Sequence, residues 1–108
     1  MSKGFDLGGL FKQAQELQGR LVAAQQAIGE RSVEGSAGGG MVTVRVSGKL
    51  ELQAVHIDPT LLEAPDRDML QDLIVAAVND GIHRAQALVA EEMGKLTGGL
   101  GLKLPGLG

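Results

Sequence analysis

From Leu7 to Ile28 the apolar positions fall at Leu7, Leu10, Ala14, Leu17, Leu21, Ala24 and Ile28, spaced alternately by three and four. A period of about 3.5 residues, with two apolar positions in each heptad, predicts a helix carrying the narrow stripe of a coiled coil. A helix lying on its own globular core would show a wider face. Leu10, Ala14, Leu17, Leu21, Ala24 and Ile28 are therefore the expected packing seam, meeting a helix of the same protomer or of a second one. Lys12, Glu16, Ala23 and Glu30 fall opposite the seam and Arg20 on its flank. Gly19 weakens the helix by about 1 kcal/mol relative to Ala, which packing has to offset.

The period then drops to two. Val42, Val44 and Val46 alternate with Thr43, Arg45 and Ser47, and Leu50, Leu52 and Ala54 repeat the alternation, predicting a hairpin. A loop of Ser47, Gly48 and Lys49 would pair Val46 with Leu50, Val44 with Leu52 and Val42 with Ala54, setting Arg45 against Glu51 and leaving Gly48 free for a positive φ. An earlier strand near Arg31 to Ser36, joined through Gly38, Gly39 and Gly40, completes a three-stranded antiparallel meander. Asp58, Pro59 and the Thr60-x-x-Glu63 spacing predict a capping box and a short helical turn.

A second long helix is predicted from about Asp66 to Met93, opened by acidic residues that suit a helix N-terminus. Leu70, Leu73, Ile74, Ala77, Val78, Gly81, Ala85 and Leu88 centre its apolar arc, and Val75, Ile82 and Val89 widen it. Such breadth calls for cover from two directions, its own sheet and a second protomer. Beyond Met93, glycines interleaved with Leu and Pro105 indicate a flexible tail. The fold class is thus α+β, with one domain over 1–93 and a Gly/Leu-rich tail over 94–108.

Composition sharpens this picture. With two Phe and no Trp or Tyr, the core of this 108-residue chain rests on aliphatic residues, and it is thin enough for a dimer to relieve it. Without Cys there are no disulfides, thiol chemistry or Cys-based zinc sites. The start lacks a signal-length apolar run, and no stretch approaches the ~20 residues of a membrane span, so a soluble cytoplasmic protein without membrane contact is expected. A net charge of −3 argues, as a bulk property, against a polyanionic partner. The placement of the cations matters more, and Lys12, Arg20, Arg84 and Lys95 lie on the two long helices, with Lys3 ahead of the first.

Catalysis has little to stand on. His56 ends a strand and His83 falls on the polar side of the second helix, too far apart in sequence to suggest a metal site. Gly38 to Gly40 lead into a strand, whereas a phosphate loop follows one and opens a helix. Asp66, Asp68 and Asp72 lack EF-hand spacing. Neither enzymatic activity, metal nor cofactor is expected.

Three stretches carry a family resemblance: Leu10-Phe11-Lys12-Gln13-Ala14-Gln15-Glu16-Leu17-Gln18; Gly39-Gly40-Met41-Val42 with Ile57-Asp58-Pro59-Thr60-Leu61-Leu62-Glu63; and Met69 through Asp80. In order and spacing the chain resembles the YbaB/EbfC nucleoid-associated proteins of bacteria. The resemblance implies a tweezer-like homodimer whose helical arms hold double-stranded DNA with little sequence preference, and a role in nucleoid organisation and gene regulation. It places DNA contact on Lys12, Arg20, Arg84 and Lys95, with Lys3 as a weaker candidate. A different function, as an adaptor that docks replication or recombination proteins on the Leu7 to Ile28 seam or on the Leu-Gly tail, fits the acidic composition.

Overall fold

A computed structural model describes residues 6–99, in the order α1 (Leu7–Glu30), β1 (Ser32–Ala37), β2 (Val42–Ser47), β3 (Leu52–Ile57), α2 (Thr60–Glu63) and α3 (Arg67–Gly99). The strands form one antiparallel sheet in the order β1-β2-β3. The α+β class, both long helices and the meander follow the sequence expectation.

The core lies between α3 and one face of β1 and β2. Val42, Val44 and Val46 project from the central strand onto Ala77 and Ala85, all buried, while Leu70, Leu73, Ile74 and Val78 close the flanks. Helix and sheet approach closely because two glycines face each other. A Cβ on Gly35 of β1 would overlap the backbone of Gly81 and lie 2.6 Å from the Ala77 carbonyl oxygen. One on Gly81 would lie 2.7 Å from a Val46 methyl. Small residues at positions 77, 81 and 85, one turn apart, form the flat strip that fits the valines of β2.

The β2–β3 hairpin departs from the expected register. Val46 pairs with Leu52, and after a bulge Arg45 pairs with Ala54, Val44 with Val55 and Val42 with Ile57. Sequence alternation alone set Leu50, Leu52 and Ala54 inward. The extra residue, Gln53, places Leu52 with the larger Val55 and Ile57 on one face, giving more apolar area than Ala54 supplies. Arg45 consequently has Glu34 and Ala54 as its cross-strand neighbours, not Glu51. The turn keeps three residues but moves one position along the chain, to Gly48, Lys49 and Leu50: Leu50 N–H donates to the Ser47 carbonyl (2.9 Å) and Ser47 N–H to that of Glu51 (2.9 Å), and the positive φ falls on Leu50 (63°) rather than Gly48. Gly48 serves a different need, because a side chain there would run into the Ile28 carbonyl at the end of α1.

Two helix ends also differ from expectation. No capping box forms at α2; the Asp58 carboxylate instead accepts from the Thr60 N–H (2.9 Å) and hydroxyl (2.8 Å), so that hydroxyl is committed outside the helix. α3 does not stop at Met93 but continues to Gly99, its ion pairs at Lys95 bracing the extra turn. The remainder of the expected tail lies outside the described residues.

The protomer measures 82 × 27 × 17 Å and has a radius of gyration of 21.3 Å, against about 13 Å for a compact domain of this size. α1 accounts for much of the excess. Its 24 residues make a rod of about 36 Å, and every residue from Leu10 to Arg20 is exposed. Among the described residues only its C-terminal root is held, through buried Ile28 and Gly29, the Gly48 N–H bonded to the Arg31 carbonyl (2.8 Å), and an Arg31–Glu92 ion pair of 2.7 Å to α3.

Candidate nucleic-acid interface

The five sequence-nominated cations stand in different situations. Lys12 and Arg20 lie on the exposed part of α1, and neither forms an ion pair among the described residues. Lys12 points away from the apolar stripe and Arg20 flanks it, one turn to either side of Glu16. Arg84 and Lys95 are engaged on α3: Arg84 Nε lies 3.0 Å from Asp80 Oδ2, while Lys95 Nζ lies 3.7 Å from Glu91 and 3.5 Å from Glu92. Lys3 falls outside the described residues.

The four described cations do not make one cluster. Lys95 borders the hollow between the root of α1 and the end of α3, beside Ala24, Arg31 and Leu96. Arg84 borders a separate hollow with Val33, Glu34 and Leu88. Lys12 sits about 18 Å farther along α1 than Ala24. A single protomer therefore offers a charged rod and two partly neutralised sites.

Two acidic residues that the sequence did not single out organise this region. Asp80 accepts from the Ser36 N–H (3.0 Å) and from Arg84, capping the outer edge of β1. These bonds, that to Ser36 foremost, hold its carboxyl below the usual aspartate range. Glu92 is lowered chiefly by its bond to Arg31, with Lys95 adding to it. The Asp80–Arg84 spacing of four is visible in sequence. Contacts such as Ser36–Asp80 and Arg31–Glu92 join residues far apart in the chain and have no local signature.

The seam is also split. Ile28 is buried and Leu21 and Ala24 are half-buried at the root, whereas Leu10 is 52% and Leu17 36% exposed, with Ala14 exposed between them. A second uncovered apolar surface lies on β3. Leu52 and Val55 share the sheet face of their partners Val46 and Val44, yet they are 49% and 42% exposed where the partners are 0% and 2%. α3 covers β1 and β2 and leaves that strip open.

The family model for the YbaB/EbfC DNA-binding family matches residues 3–100. The chain belongs to that family. Similar proteins include a nucleoid-associated protein of Syntrophobacter fumaroxidans, 47% identical over 99% of this chain and 97% of the relative. Another, from Desulfotalea psychrophila, is 45% identical over 90% of this chain and 92% of its own length. Among solved structures, an uncharacterised protein from Helicobacter pylori superposes with a TM-score of 0.65 at 25% identity, covering 89% of this chain and 97% of that one. No helix among the described residues is long and apolar enough to cross a membrane.

Proposed function

We propose that this protein is a cytoplasmic, nucleoid-associated homodimer that holds double-stranded DNA through phosphate contacts from its α1 arms, with little sequence preference and no chemistry of its own. The observation that carries the reading is the contrast in cation placement. Lys12 and Arg20 form no ion pair among the described residues and stand on a projecting helix, able to meet phosphates, in a chain whose family is a DNA-binding one. Arg84 and Lys95 act as secondary contacts, because phosphate has to compete there with a carboxylate already in place.

The uncovered strip of β3 supports the homodimer. β3 is an edge strand, and the exposed Leu52 and Val55 beside it give a second protomer both apolar area and free backbone groups to engage. Two-fold symmetry doubles the arm charges. Contact with phosphates alone fixes position without reading bases, which accounts for weak sequence preference and suits a role in nucleoid organisation and gene regulation.

A gel-shift titration with duplex DNA across salt concentrations tests this. With Lys12 and Arg20 from both protomers releasing counterions, log K should fall against log salt with a slope of about −3.6. Lys12→Gln should lower that slope to about −1.8 and weaken binding, while Arg84→Gln changes affinity less than Lys12→Gln. A salt-independent affinity, or no retention at low salt, refutes the DNA reading. Retention of a replication or recombination protein by a Lys12→Glu, Arg20→Glu and Arg84→Glu triple variant that has lost DNA would support the adaptor reading.

A further inference from the structure

The exposed outer half of α1 has no source of stability among the described residues of the protomer. From Leu10 to Arg20 no described residue packs on it, Gly19 weakens it, and the i,i+4 neighbours Lys12–Glu16 and Glu16–Arg20 do not close into ion pairs. Isolated helices of this length are marginal in water. Meanwhile Leu7, Leu10 and Phe11, 68%, 52% and 67% exposed, give the arm an apolar tip.

We propose that the outer halves of two α1 arms, from two different homodimers, pair with each other as a short antiparallel coiled coil. A narrow 3.5-residue stripe fits a helix crossing at a shallow angle, and α1 itself carries such a stripe. Antiparallel pairing lets the two bodies lie at opposite ends, where parallel pairing would drive the β-sheets together. With the two-fold axis passing at Lys12, Leu7 meets Leu17 of the second copy and Leu10 meets Ala14, so large residues face large or small ones in every layer.

The flanks agree with this register. Phe11 meets Phe11 and Gln13 meets Gln13 across the axis, with no like charges opposed, and Arg20 comes opposite Asp6, the α1 N-cap. Lys12 of each arm points away from the contact. The register uses the exposed positions 7, 10, 11, 14 and 17 and leaves out Leu21, Ala24 and Ile28, which are already partly or fully buried at the root.

This inference takes the homodimer from the proposed function and adds a second self-contact. Two different isologous contacts on one chain build either a closed four-chain ring or an open run of dimers. DNA segments held by separate dimers would thereby be tied together.

Sedimentation of the DNA-free protein over a concentration series tests the pairing independently of DNA binding. Wild type should reach four chains or more. Leu10→Glu with Leu17→Glu, both exposed and so compatible with folding, should stop at two chains joined over β3. Val55→Glu should stop at two chains joined by the arms. The chain has no native Cys, so Phe11→Cys should give an oxidised two-chain band that Gln15→Cys, on the outer side of the arm, does not. A wild type that never exceeds two chains, a seam variant that falls to single chains, or equal cross-linking at both positions overturns the inference. A Val55→Glu variant that keeps the wild-type mass overturns the β3 dimer instead.

Discussion

Replacing Gly35 with Ala adds one methyl group at the closest point between sheet and helix. An ideal Cβ there would sit 2.6 Å from the Ala77 carbonyl oxygen and overlap the Gly81 backbone, whereas carbon contacts settle near about 3.5–4.0 Å. Neither partner is a side chain that can rotate away, so α3 has to retreat by about 1 Å. A gap of that size forfeits up to about half of the dispersion well for each atom pair it opens, and it opens along Val42, Val44 and Val46, the centre of the core. Overpacking costs about 1–3 kcal/mol and rigid partners place Gly35→Ala at the upper end; the entropy removed from the unfolded chain returns at most about 1 kcal/mol. A net loss of about 2–3 kcal/mol is expected. Without Trp or Tyr, urea unfolding has to be followed by far-UV circular dichroism at fixed protein concentration. With a urea m-value of about 1.5 kcal/mol/M the midpoint should fall by roughly 1.3–2 M. Gly19→Ala, where a Cβ meets nothing within 4 Å, should instead gain helical signal at 222 nm. A Gly35→Ala midpoint within about 0.3 M of wild type would refute the close approach of β1 and α3.

Two further outcomes follow from local chemistry. Because hydrogen bonds lower the Asp80 carboxyl in the folded state, its contribution is present above the unfolded aspartate value of about 3.9 and disappears as pH falls through the lower folded value; Asp80→Asn should flatten the acid limb of a stability–pH profile, and an unchanged limb would contradict the Ser36 bond. Leu50→Ile conserves volume but puts a β-branched side chain at φ 63°, so chemical denaturation should show a loss of about 1 kcal/mol, and equal stability would mean that the turn is not held in that conformation.

The elements were legible because each rests on local periodicity. The stripe from Leu7 to Ile28, the Val42, Val44 and Val46 alternation and the arc through Ala77, Gly81 and Ala85 all mark the elements that the chain adopts. The hairpin register was less legible, because Leu50, Leu52, Ala54, Val55 and Ile57 satisfy a period of two in either of two phases. The choice between phases depends on area shared with β2, and the chain resolves it with a bulge at Gln53. The role of Gly48 was likewise nonlocal, set by the Ile28 carbonyl that α1 brings to it.

Charge shows the same division, and it decides where DNA contact is to be sought. The four-residue spacings of Asp80 to Arg84 and Glu91 to Lys95 announce helix ion pairs in the favourable acid-before-base order, so partial neutralisation of these two cations was readable in advance. Lys12 to Glu16 runs in the weaker order and does not close, while Arg20, which could close onto Glu16 in the better order, also stays open. Exposed pairs of this kind are worth at most about 1 kcal/mol, so a phosphate can displace the carboxylates on α3 if geometry brings it there. At Lys12 it would displace nothing. The net charge of −3 therefore sets no bar to DNA contact in an arm that carries its cations outward and whose nearest acid, Glu16, leaves them unpaired.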